Sequence, residues 1–329
     1  MKRRPGAAVL FALAILAAAG ASEVGASEVG AQPYPSKPVR IVVPNATSGL
    51  ADICARLLAS NLGEALGQAF LVDNRPGAGG TIGTAAAARS APDGYTLLAV
   101  FDSHANNPYL FASLPYDTLA DFAPISLLAR GPLVLVVGTK VGSSTVDELV
   151  RLAKSRPGAV NFATVGPGSP ARLLMELLRL EAAIDVTMVP YKGAGLALGD
   201  LVAGQVDAMF ATVPSVSSHL KAGRLTALAV TSARRSAVLP GVPAMSETYP
   251  GFVSEAWVGL LAPAKTPREI VARLNTGVAQ VLGQSEVKRR FAELGLETAP
   301  GSPTDFDRWI RAEMERWGRV IREQKITLE

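Results

Sequence analysis

The sequence has few of the residues on which catalytic and metal sites usually depend. Its 329 residues include one cysteine, Cys54, and two histidines, His104 and His219. A disulfide bond within the chain is therefore impossible, and so is a metal site made of cysteines. The chain also lacks a Gly-x-Ser-x-Gly elbow, a His-Glu-x-x-His zinc motif and a Gly-x-x-x-x-Gly-Lys-Ser/Thr phosphate loop. We expect no catalytic residue, no bound metal and no cofactor.

Charged and aromatic residues are sparse as well. They make up 18% and 6% of the chain, and the net charge is only +4. Because no dense basic run with interleaved aromatic residues occurs, we expect no nucleic-acid partner. The hydrophobic share of 49% excludes a disordered chain and is enough for two cores. The residues that dominate, Ala, Gly, Val and Leu, favour parallel sheets packed with helices over a β-sandwich.

The first 31 residues have the order of a secretory signal peptide. Lys2-Arg3-Arg4 leads into an apolar run from Ala7 to Ala19, and small residues follow. The run is too short for a comfortable transmembrane helix. An exact tandem repeat of Ala-Ser-Glu-Val-Gly leaves the cleavage position open. Three residues fit it: Ala21, Ala26 and Ala31. We therefore predict a periplasmic protein with a cleavable signal.

Short β-branched runs alternate with helical spacing in two series. The first extends from Val39 to Val100 and has the order β-α-β-α-β, which is typical of parallel α/β architecture. The second extends from Leu133 to Val230, and the remainder is mostly helical. The sequence thus predicts an α/β fold with two Rossmann-like lobes, a ligand cleft between them and a helical C-terminal tail.

Two turn-rich stretches, residues 130–132 and 250–257, are candidate crossovers between the lobes. They would assign 32–131 plus 256–329 to lobe one and 132–255 to lobe two. Clefts between hinged lobes close around small ligands, so this organisation predicts a binding protein.

The glycine-rich loop from Gly77 to Gly83 allows three interpretations. It could be a structural turn, or its free N–H groups could hold a carboxylate at a helix start. Its Gly-x-Gly-x-x-x-Gly spacing also resembles some dinucleotide-binding loops, although no acidic residue follows at the distance that such a site requires. The loops at 45–49 and 164–170 likewise lead from a strand into a helix, where α/β proteins bind ligands.

Eight short motifs follow one another in an order and spacing typical of one family. They occupy residues 34–40, 72–80, 91–98, 114–117, 121–124, 189–193, 227–232 and 259–263. The series resembles the Bug-type solute receptors of tripartite tricarboxylate transporters, which are type II periplasmic binding proteins. The resemblance covers nearly all of the mature chain. It implies a cleft that holds a small carboxylate or related metabolite through loop amides, hydroxyls and waters, for delivery to the transporter's membrane subunits.

The resemblance also implies a ligand site made of loops from both lobes. In lobe one these residues are Asn45, Ala46, Thr47, Ser48, Gly49, Asp52, Gly79, Gly80, Phe101, Asp102, Ser103 and His104. In lobe two they are Thr164, Val165, Gly166, Gly168, Ser169, Lys192, Gly193, Thr212, Pro214 and Ser215.

Four of these residues have a second interpretation that is purely structural. Asp52 could contact the ligand or complement the dipole at its helix start. Asp102, if it faces the ligand, implies an amino, amide or protonated-ring group on that ligand; otherwise it anchors the loop. His104 is better explained as a loop brace, and Lys192 could pair a ligand carboxylate or lie at the cleft rim.

We predict a monomeric periplasmic receptor without catalytic activity that captures a small organic acid, or a related amide- or amino-bearing metabolite. Two alternatives remain open from the sequence. One is an exported oxidoreductase that binds a dinucleotide at Gly77–Gly83. The other is a receptor that serves a two-component sensor instead of a transporter.

Overall fold

The computed structural model describes residues 34–47, 49–166, 168–323 and 325–326. The predicted signal, its three cleavage positions and the predicted site residue Ser48 lie outside these ranges. Within them, no helix is both long and apolar enough to cross a bilayer.

Ten strands and ten helices make up the described part of the chain. The strands are β1 (Val39–Val43), β2 (Phe70–Asn74), β3 (Thr96–Phe101), β4 (Phe122–Gly138), β5 (Asn161–Val165), β6 (Thr187–Tyr191), β7 (Ala208–Thr212), β8 (Leu225–Val230), β9 (Glu255–Pro263) and β10 (Glu297–Thr298). The helices are α1 (Leu50–Leu66), α2 (Thr81–Ala88), α3 (Ser103–Leu110), α4 (Val146–Ser155), α5 (Pro170–Glu181), α6 (Ala194–Ala203), α7 (Val213–Lys221), α8 (Arg268–Gly283), α9 (Ser285–Glu293) and α10 (Pro303–Glu323).

The first strand and helix show how the local sequence dictates these elements. Strand β1 is a run of valine and isoleucine around Arg40, and every residue except this arginine is buried. Helix α1 carries apolar residues at helical spacing and buries Cys54, Leu58 and Leu62 against the sheet. It ends at Gly67, whose φ of 72° is readily adopted only by glycine.

The strands form a continuous sheet in the order β2-β1-β3-β9-β4-β7-β5-β6, and β8 and β10 also pair with β4. Strand β4 is shared by two halves. Its residues up to Pro132 pair with β9, and those from Leu133 pair with β7 and β8. We call the half with β1, β2, β3, β9, β10 and residues 122–132 of β4 lobe one. Lobe two has β5 to β8 and residues 133–138 of β4.

The two predicted crossovers lie side by side in the shared strands. Arg130 pairs with Trp257, Gly131 with Ala256, and Pro132 with Glu255. The chain therefore passes between the halves along an antiparallel two-stranded ribbon. Parallel pairing of β1 with β2 and β3, and of β5 with β6 and β7, confirms the predicted α/β fold class.

Separate apolar cores lie in the two lobes, and the last helix reaches both. Phe306 and Ile310, near the start of α10, pack in a lobe-one cluster with Trp257. Trp317 and Ile321, two to three turns later, pack in a lobe-two cluster with side chains of α4 and α5. Because α10 joins the two cores, the predicted helical tail is an integral part of the fold.

Candidate ligand-binding site

The predicted site residues lie at the carboxyl ends of parallel strands in each lobe. In lobe one they follow β1, β2 and β3, and in lobe two they follow or end β5, β6 and β7. Since parallel strands point the same way, each set gathers at one edge of its half-sheet. This is the edge at which open α/β sheets bind ligands.

Close backbone contacts explain the glycine-rich loop of lobe one. A Cβ atom on Gly83 would lie 2.7 Å from the carbonyl oxygen of Arg75 and 2.9 Å from Cα of Pro44. Gly79 and Gly80 have φ values of 65° and 93°, in the region that favours glycine. The loop therefore packs directly on Pro44, the residue that follows β1, which supports its structural interpretation.

Helix α3 brings loops of the two lobes together. The side-chain Nδ2 of Asn107 donates a hydrogen bond to the carbonyl of Gly79 over 3.1 Å. The Nδ2 of Asn106 donates to the carbonyl of Gly168 in lobe two, also over 3.1 Å. A Cβ atom on Gly168 would lie 2.7 Å from Oδ1 of Asn107 and 3.8 Å from Cβ of Ser103. Gly79, Ser103 and Gly168 thus meet around two asparagines that the sequence prediction missed.

A polar network fixes the first loop of lobe one. Asp52 is buried in the first turn of α1, where its carboxylate pairs with Nε of Arg56 at 3.0 Å and accepts from Nδ2 of Asn74 at 2.9 Å. The same Nδ2 donates to the backbone carbonyl of Asn45 over 3.1 Å. Asp52 therefore connects the first turn of α1 to this loop through Asn74, a role that differs from the dipole interpretation of its position. Ala46 and Thr47 of this loop are exposed.

Asp102 is buried directly after β3 in lobe one. It accepts backbone hydrogen bonds from its own N–H and from that of Trp257. Burial raises the pKa of Asp102 well above its ordinary value, and the nearby Glu313 of α10 raises it further. Glu313 in turn accepts a hydrogen bond from Nε1 of Trp317 over 3.1 Å. These contacts match the loop-anchor interpretation of Asp102.

His104 is enclosed by an aromatic cluster. Its Nε2 lies 3.2 Å from the carbonyl oxygen of Thr118, and its ring stacks on Tyr116 and meets Phe122 edge-on. Burial lowers the pKa of His104 to about 4, so the imidazole is neutral at physiological pH. These contacts match the brace interpretation. Phe101, at the end of β3, is half-buried.

Lobe two leaves more of its predicted residues accessible. Gly166 and Lys192 are exposed, while Val165, Ser169, Gly193, Thr212, Pro214 and Ser215 are half-buried. The hydroxyl of Ser169 accepts from the N–H of Arg172 over 3.3 Å and so caps α5. The hydroxyl of Ser215 donates to the carbonyl of Thr212 over 2.7 Å. Thr164 is buried at the end of β5.

A cavity of about 320 Å³ lies next to α3, but it is not the predicted site. Pro108, Phe111, Tyr116, Thr118 and Met314 are among the residues that line it. No predicted site residue is among the residues that line it. We therefore place the candidate site at the strand ends and not in this cavity.

Comparison with solved structures agrees with the class of protein that this fold defines, a two-lobed periplasmic binding protein. The chain superposes on R. palustris Rpa4515 with adipate at a TM-score of 0.86 and 36% identity, over 90% of this chain and 100% of that one. It superposes on MatC (Rpa3494) from Rhodopseudomonas palustris with bound malate at 0.81 and 35% identity, over 88% and 100%.

The sequence comparisons then identify the family. Protein BugT of Bordetella pertussis is 41% identical over 293 residues, which are 88% of this chain and 90% of BugT. Residues 54–326 match the model of the tripartite tricarboxylate transporter family receptor. The chain belongs to this family of periplasmic solute-binding receptors, and the resemblance stated from its motifs is confirmed.

Proposed function

We propose that the chain is a non-catalytic receptor that binds a small organic acid between its lobes and delivers it to the membrane subunits of a tripartite transporter. The ligand would contact the predicted residues at the strand ends of both lobes. Two relatives of known structure hold adipate and malate, and both ligands are dicarboxylates. This supports a carboxylate ligand for a chain of the same family.

One observation carries the proposal: four helices begin at the predicted site without a side-chain cap. These are α1 after Gly49 and α2 after Gly80 in lobe one, and α6 after Gly193 and α7 after Thr212 in lobe two. The first N–H groups of a helix have no partner within it, and the helix dipole favours a negative charge there. Two such starts in each lobe suit a ligand with carboxylates at both ends.

The charges at the site also favour an anion. Asp52 and Asp102 would repel a carboxylate when ionised, but the first pairs with Arg56, and burial raises the pKa of the second well above its ordinary value. Lys192 is exposed beside the start of α6. In addition, Oδ1 of Asn45 is buried without a hydrogen-bond partner among the described residues. A side-chain amide at this position can turn either its oxygen or its NH₂ group towards a ligand.

A thermal-shift panel on the mature chain, residues 32–329, tests the proposal. Adipate, malate and other mono-, di- and tricarboxylates are compared with their methyl esters and with amino- and amide-bearing analogues. A carboxylate that binds only the folded state raises Tm with concentration, and its ester does not. Failure of every carboxylate to raise Tm, or an equal shift by the esters, would contradict an organic-acid receptor.

Two further measurements separate the proposal from the alternatives. Titration with NAD and NADP is expected to show no binding, whereas saturable binding would support a dinucleotide site at Gly77–Gly83. Uptake of the labelled ligand by cells that lack this chain or the two membrane subunits tests delivery. Sedimentation is expected to give the mass of a monomer with and without ligand.

A further inference from the structure

We propose that Asn106 and Asn107 form the contact that holds the lobes closed and thereby set how long a ligand stays bound. We call this pair the α3 latch. The inference rests on the proposed function, because it assigns the closing contact of the same cleft. Asn106 and Asn107 are positioning residues, since their side chains contact the site loops of both lobes.

Asn106 supplies the hydrogen bond between the lobes. The residue lies on α3, directly after the turn that ends β3 in lobe one, and is fully buried. Its partner, the carbonyl of Gly168, lies on the loop between β5 and α5 in lobe two. Oδ1 of Asn106 has no hydrogen-bond partner among the described residues. The bond to Gly168 is therefore the contact that gives this buried amide a defined orientation.

Asn107 contributes shape to the same contact. Its Nδ2 donates to the carbonyl of Gly79 in lobe one, and its Oδ1 lies close to the backbone of Gly168 in lobe two. A Cβ atom on Gly168 would lie 2.7 Å from that oxygen and 3.2 Å from Cδ1 of Leu110. Real Cβ contacts do not come that close to an oxygen, so a larger residue at position 168 would require a shift of the Asn107 side chain, which is bonded to Gly79.

The apolar side of α3 extends the contact into lobe two. Leu110 is buried in the lobe-two cluster with Leu174 and Leu178 of α5. Tyr109 and Phe111 pack against the same cluster. Helix α3 thus begins directly after β3 of lobe one, at the predicted site, and its last residue packs in the core of lobe two. Opening of the lobes would expose the polar groups of the latch to water, and closing would remove them from it.

Two substitutions probe the latch from opposite sides. Asn106→Ala removes the donor, and the loss of one hydrogen bond is expected to raise the ligand's dissociation rate about five- to tenfold. Gly168→Ala adds a methyl group that meets Asn107 and Leu110 when the lobes approach. Gly168 is not among the glycines of positive φ, so its own backbone accepts alanine. The double variant Gly168→Ala/Asn107→Ala removes the obstructing oxygen and should recover part of the affinity.

Asn61→Ala is the matched control. Asn61 lies on α1 of lobe one, and its Nδ2 donates to the carbonyl of Leu57 over 2.8 Å within the same helix. The substitution removes the same kind of bond without touching the other lobe. It is therefore expected to leave the dissociation rate unchanged within twofold.

The experiment uses the mature chain and two readouts. Stopped-flow dissociation is measured with the dicarboxylate, adipate or malate, that gives the larger thermal shift. Hydrogen exchange is measured without ligand, on the amides of α3, the loop 164–169 and strand β1. The latch predicts faster exchange in Asn106→Ala at α3 and the loop only, whereas a general loss of stability would also accelerate exchange in β1.

Each outcome decides one of the two proposals. If neither dicarboxylate binds the wild-type chain, the carboxylate function fails and the exchange data alone decide the latch. If a dicarboxylate binds and Asn106→Ala and Gly168→Ala both keep the wild-type dissociation rate, the latch is wrong and the function stands. If Asn106→Ala does not fold, Gly168→Ala and its double variant give the same decision.

Discussion

The two lobes supply their site residues in different ways. In lobe one the ionisable residues, Asp52, Asp102 and His104, are buried and bonded to the protein itself. In lobe two Lys192 is exposed, and the hydroxyl residues Thr212 and Ser215 are half-buried. Lobe one therefore uses its polar side chains to shape the loops of the predicted site. Lobe two keeps the polar groups of its predicted residues accessible to solvent.

This difference predicts that substitutions in lobe one change stability, whereas those in lobe two change ligand binding. The largest effect is expected at His104. Its pKa falls from 6.5 to about 4 on folding, so below pH 6.5 the unfolded chain takes up a proton that the folded chain does not. Stability from this residue is thus complete above pH 6.5 and is lost as the pH falls towards 4. The loss amounts to about 3 kcal/mol.

His104→Gln removes this titration and keeps an N–H donor for the carbonyl of Thr118. Urea unfolding at several pH values is expected to show a smaller loss of stability between pH 7 and pH 4.5 than in the wild type. His219→Gln is the control, because His219 lies on α7 of lobe two, outside the aromatic cluster. Parallel pH curves for the wild type and His104→Gln would show that His104 titrates normally.

Asp52→Ala is expected to lower the free energy of unfolding by about 2 kcal/mol. The substitution removes a buried carboxylate that holds Arg56 and Asn74, and it frees the loop at Asn45. Ligand affinity should fall together with stability. Chemical denaturation and calorimetric titration measure the two effects.

Asp73→Ala is the matched control for Asp52. Asp73 pairs with Arg75 at 2.8 Å, but its side chain is one-third exposed, and such pairs contribute at most about 1 kcal/mol. An equal loss of stability in the two variants would contradict a special role of Asp52.

Asp102→Asn is expected to increase the free energy of unfolding at pH 8. The gain is about 1 kcal/mol for each pH unit above 3.8 over which the folded carboxyl retains its proton. The pKa of Asp102 is higher in the folded state, so stability from this residue is present below pH 3.8 and is lost as the pH rises towards the folded value. Asparagine keeps an oxygen for the N–H of Trp257 and carries no charge. Lower stability at pH 8, with weaker ligand binding, would instead support an ionised carboxylate that faces the ligand.

Lys192→Gln in lobe two should change the free energy of unfolding by less than about 0.5 kcal/mol. An anionic ligand should associate more slowly with this variant at low salt, and the difference should vanish at high salt because screening removes the attraction. Lys154→Gln is the control, since the exposed Lys154 lies on α4, which leads to the opposite end of β5. Equal association rates for the two variants would place Lys192 outside the ligand's path.

Much of the fold could be predicted from the sequence because local patterns determine it. The valine run at β1 and the helical spacing of apolar residues in α1 are such patterns, and they begin the first of the two predicted series. Thr145 and Glu148 have the spacing of a capping box, and the hydroxyl of Thr145 accepts from the N–H of Glu148 at the start of α4. Thr266 and Glu269 have the same spacing, but α8 begins at Arg268 and Pro267 occupies the cap position.

Features that depend on distant contacts could not be predicted in this way. Residues 122–138 form one long strand, although Pro124, Gly131 and Pro132 are typical of turns. The strand continues because β9 pairs along it and its register shifts between Pro124 and Ser126. Helix α3 could not be predicted from local patterns either, because Pro108 lies inside it. The roles of Asn106 and Asn107 depend on the loop at Gly168, which is 62 residues from Asn106 along the chain.

The place of β9 in the sheet has a consequence for how the chain is made. Residues 255–263 insert between β3 and β4, and α10 then adds buried side chains to both halves. Both segments lie late in the chain, so most of the polypeptide is synthesised before them. Neither half can therefore reach its final structure early in synthesis. A chain that ended before residue 255 would thus lack the strand that joins β3 to β4 and the α10 side chains that pack in both cores.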